Sequence, residues 1–208
     1  MYTPPAFEAD GTTLLAAMLE ENPLAALVTT GPDGIEASHL PLLYLAEANC
    51  LVGHLARANG QWRSLAGQEG LAIFLGHQAY ISPSWYASKQ EHGKVVPTWN
   101  YEAVHVYGRL HVVDDKAALL DLVSRLTERH EARSAQPWAV NDAPERFIGG
   151  QLKGIVGLRM EIGRIEAKRK LSQNRPQADR LGTIKGLRDR GNPASGTLAD
   201  AMENLEDE

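Results

Sequence analysis

Apolar positions in this chain recur mainly with the alternation of strands, and helical spacing is confined to short intervals between them. The clearest run is TWNYEAVHVYGRLHVV, residues 98–113. Val104, Val106, Leu110 and Val112 fall on one face, while His105, Tyr107, Arg109 and His111 fall on the other. LAALVTT (24–30) predicts a buried strand, GPDG (31–34) a hairpin turn, and IEASHLPLLYL (35–45) the returning strand. CLVGHL (50–55), LAIFLG (71–76) and residues 155–165 predict three more, the last with Val156, Leu158, Met160 and Ile162 on one side.

Leu14, Leu15, Met18 and Leu19 share a face of a helix over 10–21, which Asn22-Pro23 stops. A short helical segment is expected over 58–67. Leu119, Leu122, Val123 and Leu126 define an amphipathic helix over 114–131, with Asp114 or Asp115 as its N-cap. Further helices are expected over 144–152, opened by Pro144, and over 177–189, after which TLADAMENLEDE (197–208) forms a short acidic segment. Six strands joined by hairpin turns do not follow a βαβ plan. The economical arrangement is a mainly β (α+β) fold, an antiparallel six-stranded barrel with peripheral helices, because closure removes unpaired edges. Residues 1–165 form that barrel with its inserted helices, and 166–208 a basic segment and helices packed on it.

A hydrophobic fraction of 43% and a charged fraction of 23% fit a globular chain able to bury a core. One cysteine, Cys50, excludes an internal disulfide and a Cys-cluster metal site, and suits a reducing cytoplasm. It opens an apolar run and reads as a small buried strand residue. No stretch approaches the roughly 20 apolar residues of a membrane span. The net charge of −5 is unevenly spread. Residues 159–190 carry ten Lys and Arg against four acids, a local +6, which leaves −11 on the remainder. That segment suits an anion grip, a nucleic-acid patch or a solvated basic face.

The stretch from His77 to Tyr101, HQAYISPSWYASKQEHGKVVPTWNY, concentrates Trp and Tyr with Ser, Thr, Asn and Lys between two helix-breaking prolines. Flat aromatic faces beside hydroxyls and a lysine suit a planar, phosphorylated ligand; the alternative is an ordered loop at a dimer interface. In GHLARANGQW (53–62), Arg57 has the geometry for a bidentate phosphate contact, with His54 and Asn59 as further donors. Lys170–Arg175 offers a second anion grip. His105 and His111 share a strand face but lie roughly 20 Å apart at about 3.3 Å per residue, so they cannot chelate one metal ion. Ser82 and Ser84 lie outside any nucleophile elbow and read as hydrogen-bond donors to a ligand. No residue is assigned a catalytic role.

HLPLL (39–43), GHLARAN (53–59), AYISPSWY with VVPTWNYEAVH (79–105) and KLSQNRPQADR (170–180) resemble the PaiB-type, FMN-binding negative transcriptional regulators of bacteria. MYTPPAF, LTERHE (126–131) and PWAVNDAPERFI (137–148) fit the same pattern, so the resemblance spans nearly the whole chain. Gly60 departs from it, standing where the family has proline. The resemblance implies a split β-barrel like that of pyridoxamine-phosphate oxidase, a homodimer with FMN between subunits, and a role in repression. Carried over by motif, it brings His54, Arg57 and Asn59 to the flavin phosphate. Ser82, Ser84, Lys94, Thr98 and Trp99 fall to the ribityl chain and ring, with Lys170, Gln173 and Arg175 added, from the other subunit if the site is shared. Direct DNA binding would fall to residues 159–190, since nothing reads as a helix-turn-helix. An FMN-dependent oxidoreductase is the alternative function, and a haem-binding barrel a weaker one.

Overall fold

The computed structural model describes residues 1–205. Its strands are β1 (Leu24–Gly31), β2 (Gly34–Pro41), β3 (Leu43–Leu45), β4 (Cys50–Ala56), β5 (Glu69–Ile81), β6 (Thr98–Val113) and β7 (Ile155–Lys170). The α-helices among the described residues are α1 (Gly11–Glu21), α2 (Ser88–Glu91), α3 (Lys116–Glu131), α4 (Glu145–Leu152), α5 (Gln177–Asp189) and α6 (Pro193–Asn204). The result is an α+β fold on one antiparallel sheet, ordered β2-β1-β5-β6-β7-β4-β3. Seven strands replace the expected six because 35–45 is two strands. Pro41 ends the β1 pairing, Leu42 turns inward and donates its N–H to Pro23, and Leu43 begins pairing with β4. Gly53 permits this switch, since a Cβ there would lie 2.7 Å from the Leu42 side chain and 2.8 Å from the Pro41 carbonyl.

Residue contacts divide the chain into two compact units. One comprises Ala16–Phe74 and His105–Ile165. Its β1–β2 hairpin runs in register from Leu24↔Pro41 to Gly31↔Gly34, and Gly34 takes a φ of +119° at the turn. β4 pairs with β7 from Cys50↔Glu161 to Ala56↔Ile155. Cys50 and Val52 project from β4 onto Leu122 and Leu126 of α3, forming a buried cluster, as the period-3.6 and period-2 patterns require. The Asp115 carboxylate caps α3 by accepting from the Ala118 N–H at 2.9 Å.

The other unit comprises Met1–Leu15, Leu75–Val104 and the residues from 166 onward. Its core gathers Ile81, Tyr86, Leu171, Leu187, Leu198 and Met202. Asp179, in the first turn of α5, is buried and accepts from both the N–H and the hydroxyl of Ser88, each at 2.9 Å. Two donors satisfy this carboxylate and fix α2 to α5. Across the chain three expectations change. β5 continues through His77–Ile81 and β7 through Lys170, so the irregular aromatic segment begins only at Ser82. The segment over 58–67 forms only a short 3-10 turn, Gly60–Ser64. The expected acidic tail is helical over Pro193–Asn204: Asn192 caps it and Leu198, Ala199, Ala201 and Met202 are buried. Its last residues, 206–208, lie outside the described chain.

Candidate functional site

The GHLARANGQW segment in the first of these units is strongly self-braced. His54 lies within β4 and Arg57 in the turn just past its end. The Arg57 guanidinium donates to both oxygens of Asp114, to the Lys153 carbonyl at 3.0 Å and to the Ile155 carbonyl at 2.9 Å. Its Asp114 partner raises the guanidinium pKa, and Arg57 in turn lowers that of Asp114. Asn59 accepts from the Gln61 N–H at 3.0 Å and donates to Ser38 at 2.7 Å. Gln61 is buried and donates to Thr29 at 2.8 Å. Two polar atoms of the segment remain buried without a partner, His54 Nδ1 and Gln61 Oε1. Burial also lowers the His54 pKa, so its imidazole is neutral at pH 7.

The second unit gathers the KLSQNRP turn against the start of β6. Lys170 donates to the Thr98 hydroxyl and to the Trp99 carbonyl. Its pKa is lowered, first by burial and then by the charges of Lys168 and Arg175. Asn100, fully buried, donates to Ser172 at 2.9 Å. Ser172 takes a φ of +68°, uncommon for any residue but glycine, and the Asn100 bond anchors it there. Gln173 braces the turn, accepting from the Leu171 N–H at 2.8 Å and donating to the Arg169 carbonyl at 2.6 Å. Thr98, Asn100, Lys170, Ser172, Asn174 and Arg175 line a cavity of about 180 Å³, with two cations and no carboxylate in its wall. Arg175 also stacks over Tyr86, 4.8 Å from the ring centroid.

The remaining candidates lie in the aromatic segment. Ser82 accepts from the Ser84 N–H at 3.2 Å, and the Ser84 hydroxyl accepts from Lys89 at 3.1 Å, so both stabilise local turns. The Lys94 backbone N–H donates to His92 at 3.0 Å. Trp99 is 54% exposed and meets Tyr80 edge-on at 6.3 Å, leaving an indole face open to solvent. Thus Thr98, Lys170 and Arg175 share one cavity, with Trp99 adjacent through its carbonyl and Gln173 behind the turn. Ser82, Ser84 and Lys94 do not line that cavity. Sequence reasoning missed Asn100 and Ser172. Asn100 had a legible signal, being a polar residue at the buried parity of Val104 and Val106.

A cation pair without a carboxylate, a hydroxyl and an open indole face fit a phosphorylated, planar cofactor, and the sequence family agrees. Over residues 1–164 the chain matches the family described as "Putative FMN-binding domain"; it belongs to that family, and FMN is its cofactor. It is 34% identical over 207 residues to Protease synthase and sporulation protein PAI 2 of Bacillus subtilis, covering 98% of this chain and 97% of that protein. That relative spans the Lys170–Arg175 turn, which lies beyond the family match, and bears out the PaiB-type resemblance. An uncharacterized protein of Emericella nidulans is 29% identical over 229 residues, covering 91% of each chain. Among solved structures, the FAD and heme binding protein of Mycobacterium smegmatis superimposes with a TM-score of 0.61 at 16% identity, covering 84% of this chain and 78% of that one. The flavocytochrome Anf3 of Azotobacter vinelandii gives 0.55 at 14% identity, covering 79% and 69%. These likenesses speak to the fold. No helix among the described residues is long and apolar enough to cross a membrane.

Proposed function

We propose that the chain is a split-barrel flavoprotein, active as a homodimer, that uses FMN as a sensor or regulator of gene expression. The environment of Lys170 carries the residue-level reading. A half-buried ammonium repelled by Lys168 and Arg175 is relieved by a dianionic phosphate, and the 180 Å³ cavity has room for a phosphate group but not for a tricyclic ring. The ring then lies outside it, where the exposed Trp99 indole offers a face for stacking. In the dimer, the GHLARAN segment of one subunit and the KLSQNRP turn of the other close on one flavin. His54 and Asn59 face the cofactor, and Arg57, tied to Asp114, braces their segment. Bound FMN supplies one- and two-electron redox chemistry. The regulatory role draws support from the similarity to PAI 2, whose name links that protein to protease synthesis and sporulation.

Quenching of flavin fluorescence tests this reading with FMN and riboflavin side by side. A charge-assisted hydrogen bond contributes about 1.5–3 kcal/mol, and 1.4 kcal/mol is a factor of about ten in affinity. Lys170→Ala and Arg175→Ala should each weaken FMN at least about tenfold while leaving riboflavin nearly unchanged. Equal wild-type affinity for the two flavins would remove the phosphate assignment.

A further inference from the structure

A second cavity, of about 700 Å³, lies entirely within the Ala16–Phe74 and His105–Ile165 unit, beside the first turn of α3 and one side of α4. Its size is that of a small-molecule pocket. The Arg57–Asp114 pair forms part of its wall, and the two charges cancel there. Lys116, Arg146 and Lys153 also line it, and among the described residues their side chains make no ion pair or hydrogen bond. Glu145 is the one further carboxylate in the wall. Three cations and one further acid along one cavity leave its wall net positive, and an anion bound among them is favoured by that charge.

The glycines of α4 point the same way. Gly149 and Gly150 sit side by side in an eight-residue helix, and both line the cavity. Neither has a positive φ, and a Cβ built on either would meet nothing within 4 Å. Neither backbone conformation nor packing within the chain therefore asks for glycine. Each nevertheless costs the helix about 1 kcal/mol relative to alanine. Bare backbone along a cavity wall lets a ligand approach closely.

We propose that this cavity binds a small polyanion carrying two or more phosphate or carboxylate groups, held across Lys116, Arg146 and Lys153. Among the described residues that line it none is aromatic, so recognition rests on charge and hydrogen bonding rather than on stacking. The proposal rests on Lys116, Arg146 and Lys153 and does not depend on the assignment of FMN to Lys170 and Arg175.

Calorimetric titration of the FMN-saturated protein at low ionic strength, with inorganic pyrophosphate and with citrate, tests this. Binding of one molecule per chain is expected, with the flavin absorbance unchanged and affinity falling as salt rises. Tighter pyrophosphate binding assigns a phosphorylated ligand, and tighter citrate binding a polycarboxylate. Arg146→Gln with Lys153→Gln should weaken binding at least tenfold, as should Lys116→Gln from the other helix, with FMN content and thermal midpoint retained. Three results overturn the proposal: no binding of either anion at millimolar concentration, release of FMN by pyrophosphate, or affinity unmoved by the substitutions.

Discussion

Gly186→Ala and Gly150→Ala make the same chemical change inside two helices and should shift stability in opposite directions. In both helices alanine is intrinsically favoured by about 1 kcal/mol. At Gly150 nothing lies within 4 Å of the new methyl group, so that gain should survive largely intact. At Gly186 the methyl would fall 2.3 Å from Trp85 Cδ2 and 2.5 Å from Cγ and Cε2. The indole has little freedom to yield, because Gly182 packs against the Trp85 carbonyl and Arg190 stacks on the ring 4.5 Å from its centroid. Overpacking costs roughly 1–3 kcal/mol, and overlap with three ring atoms belongs at the upper end. Subtracting the helix gain leaves a net loss of about 1–2 kcal/mol. At this chain length 1 kcal/mol corresponds to about 2–4 °C. Thermal unfolding followed by near-ultraviolet circular dichroism should therefore place Gly150→Ala about 2–4 °C above wild type and Gly186→Ala about 2–8 °C below it. Shifts of the same sign would refute the claim that close contact with Trp85, rather than helix propensity, selects glycine at 186.

Burial holds the His54 and His105 pKa values below the ordinary 6.5. Between the lowered values and 6.5 the unfolded chain binds more protons, so stability there rises with pH and is lost as pH falls below about 6.5. The urea midpoint should drop between pH 7.5 and 5, and His54→Gln should flatten that slope; an unchanged slope counts against the imidazole as its source. The exposed Tyr80–Trp99 pair and Val96, 65% exposed, present apolar surface that a second copy would cover. Sedimentation at micromolar concentration should give a dimer, with Trp99→Glu shifting it toward monomer, and a monomeric wild type would contradict the shared flavin site. Arg188 is held by Asp200 and Glu203 in exposed pairs, so Arg188→Glu should leave the protein folded and leave fluorescence anisotropy of a labelled DNA duplex unchanged. A salt-sensitive DNA signal abolished by that substitution would restore direct nucleic-acid binding.

Where the hydrophobic period was uninterrupted, the elements were legible to the residue. β6 and α5 have the bounds their patterns predict. β5 did not, because its buried positions switch from even at Gly70, Ala72 and Phe74 to odd at Ala79 and Ile81, which destroys the alternation within any window spanning the switch. β7 was cut short for a different reason. Its final residues are basic, yet Ala167 and Lys168 are buried there, with the Lys168 ammonium donating to the Tyr2 carbonyl at 3.1 Å. α6 had an Asn-Pro start signal that its acidic composition hid. In the site, Thr98, Lys170 and Arg175 were legible as a polar, cationic cluster beside prolines. The engagement of Arg57 was not, because its partner Asp114 is 57 residues away and adjacent only once β4 and β6 flank β7.

The +6 excess over residues 159–190 also changes meaning once the side chains are placed. Arg164 lies 3.7 Å from the Tyr107 ring centroid, Arg169 pairs with the buried Glu102 at 2.9 Å, and Lys168 sits 5.1 Å from the Tyr101 ring. Arg175 covers Tyr86 and Arg190 covers Trp85, while Lys185 and Arg188 meet carboxylates. Cations arranged over aromatic faces and acids stabilise the fold through contacts that a DNA backbone would have to displace, and the −11 on the rest of the chain opposes a polyanion as large as a duplex. Lys170 differs from these. Its ammonium group lies in a cavity without a carboxylate, with like charges as neighbours, which suits one phosphate group rather than a strand of them. The sequence excess that first suggests nucleic acid is thus better accounted for by a local anion grip within a self-neutralised framework than by a surface for a duplex.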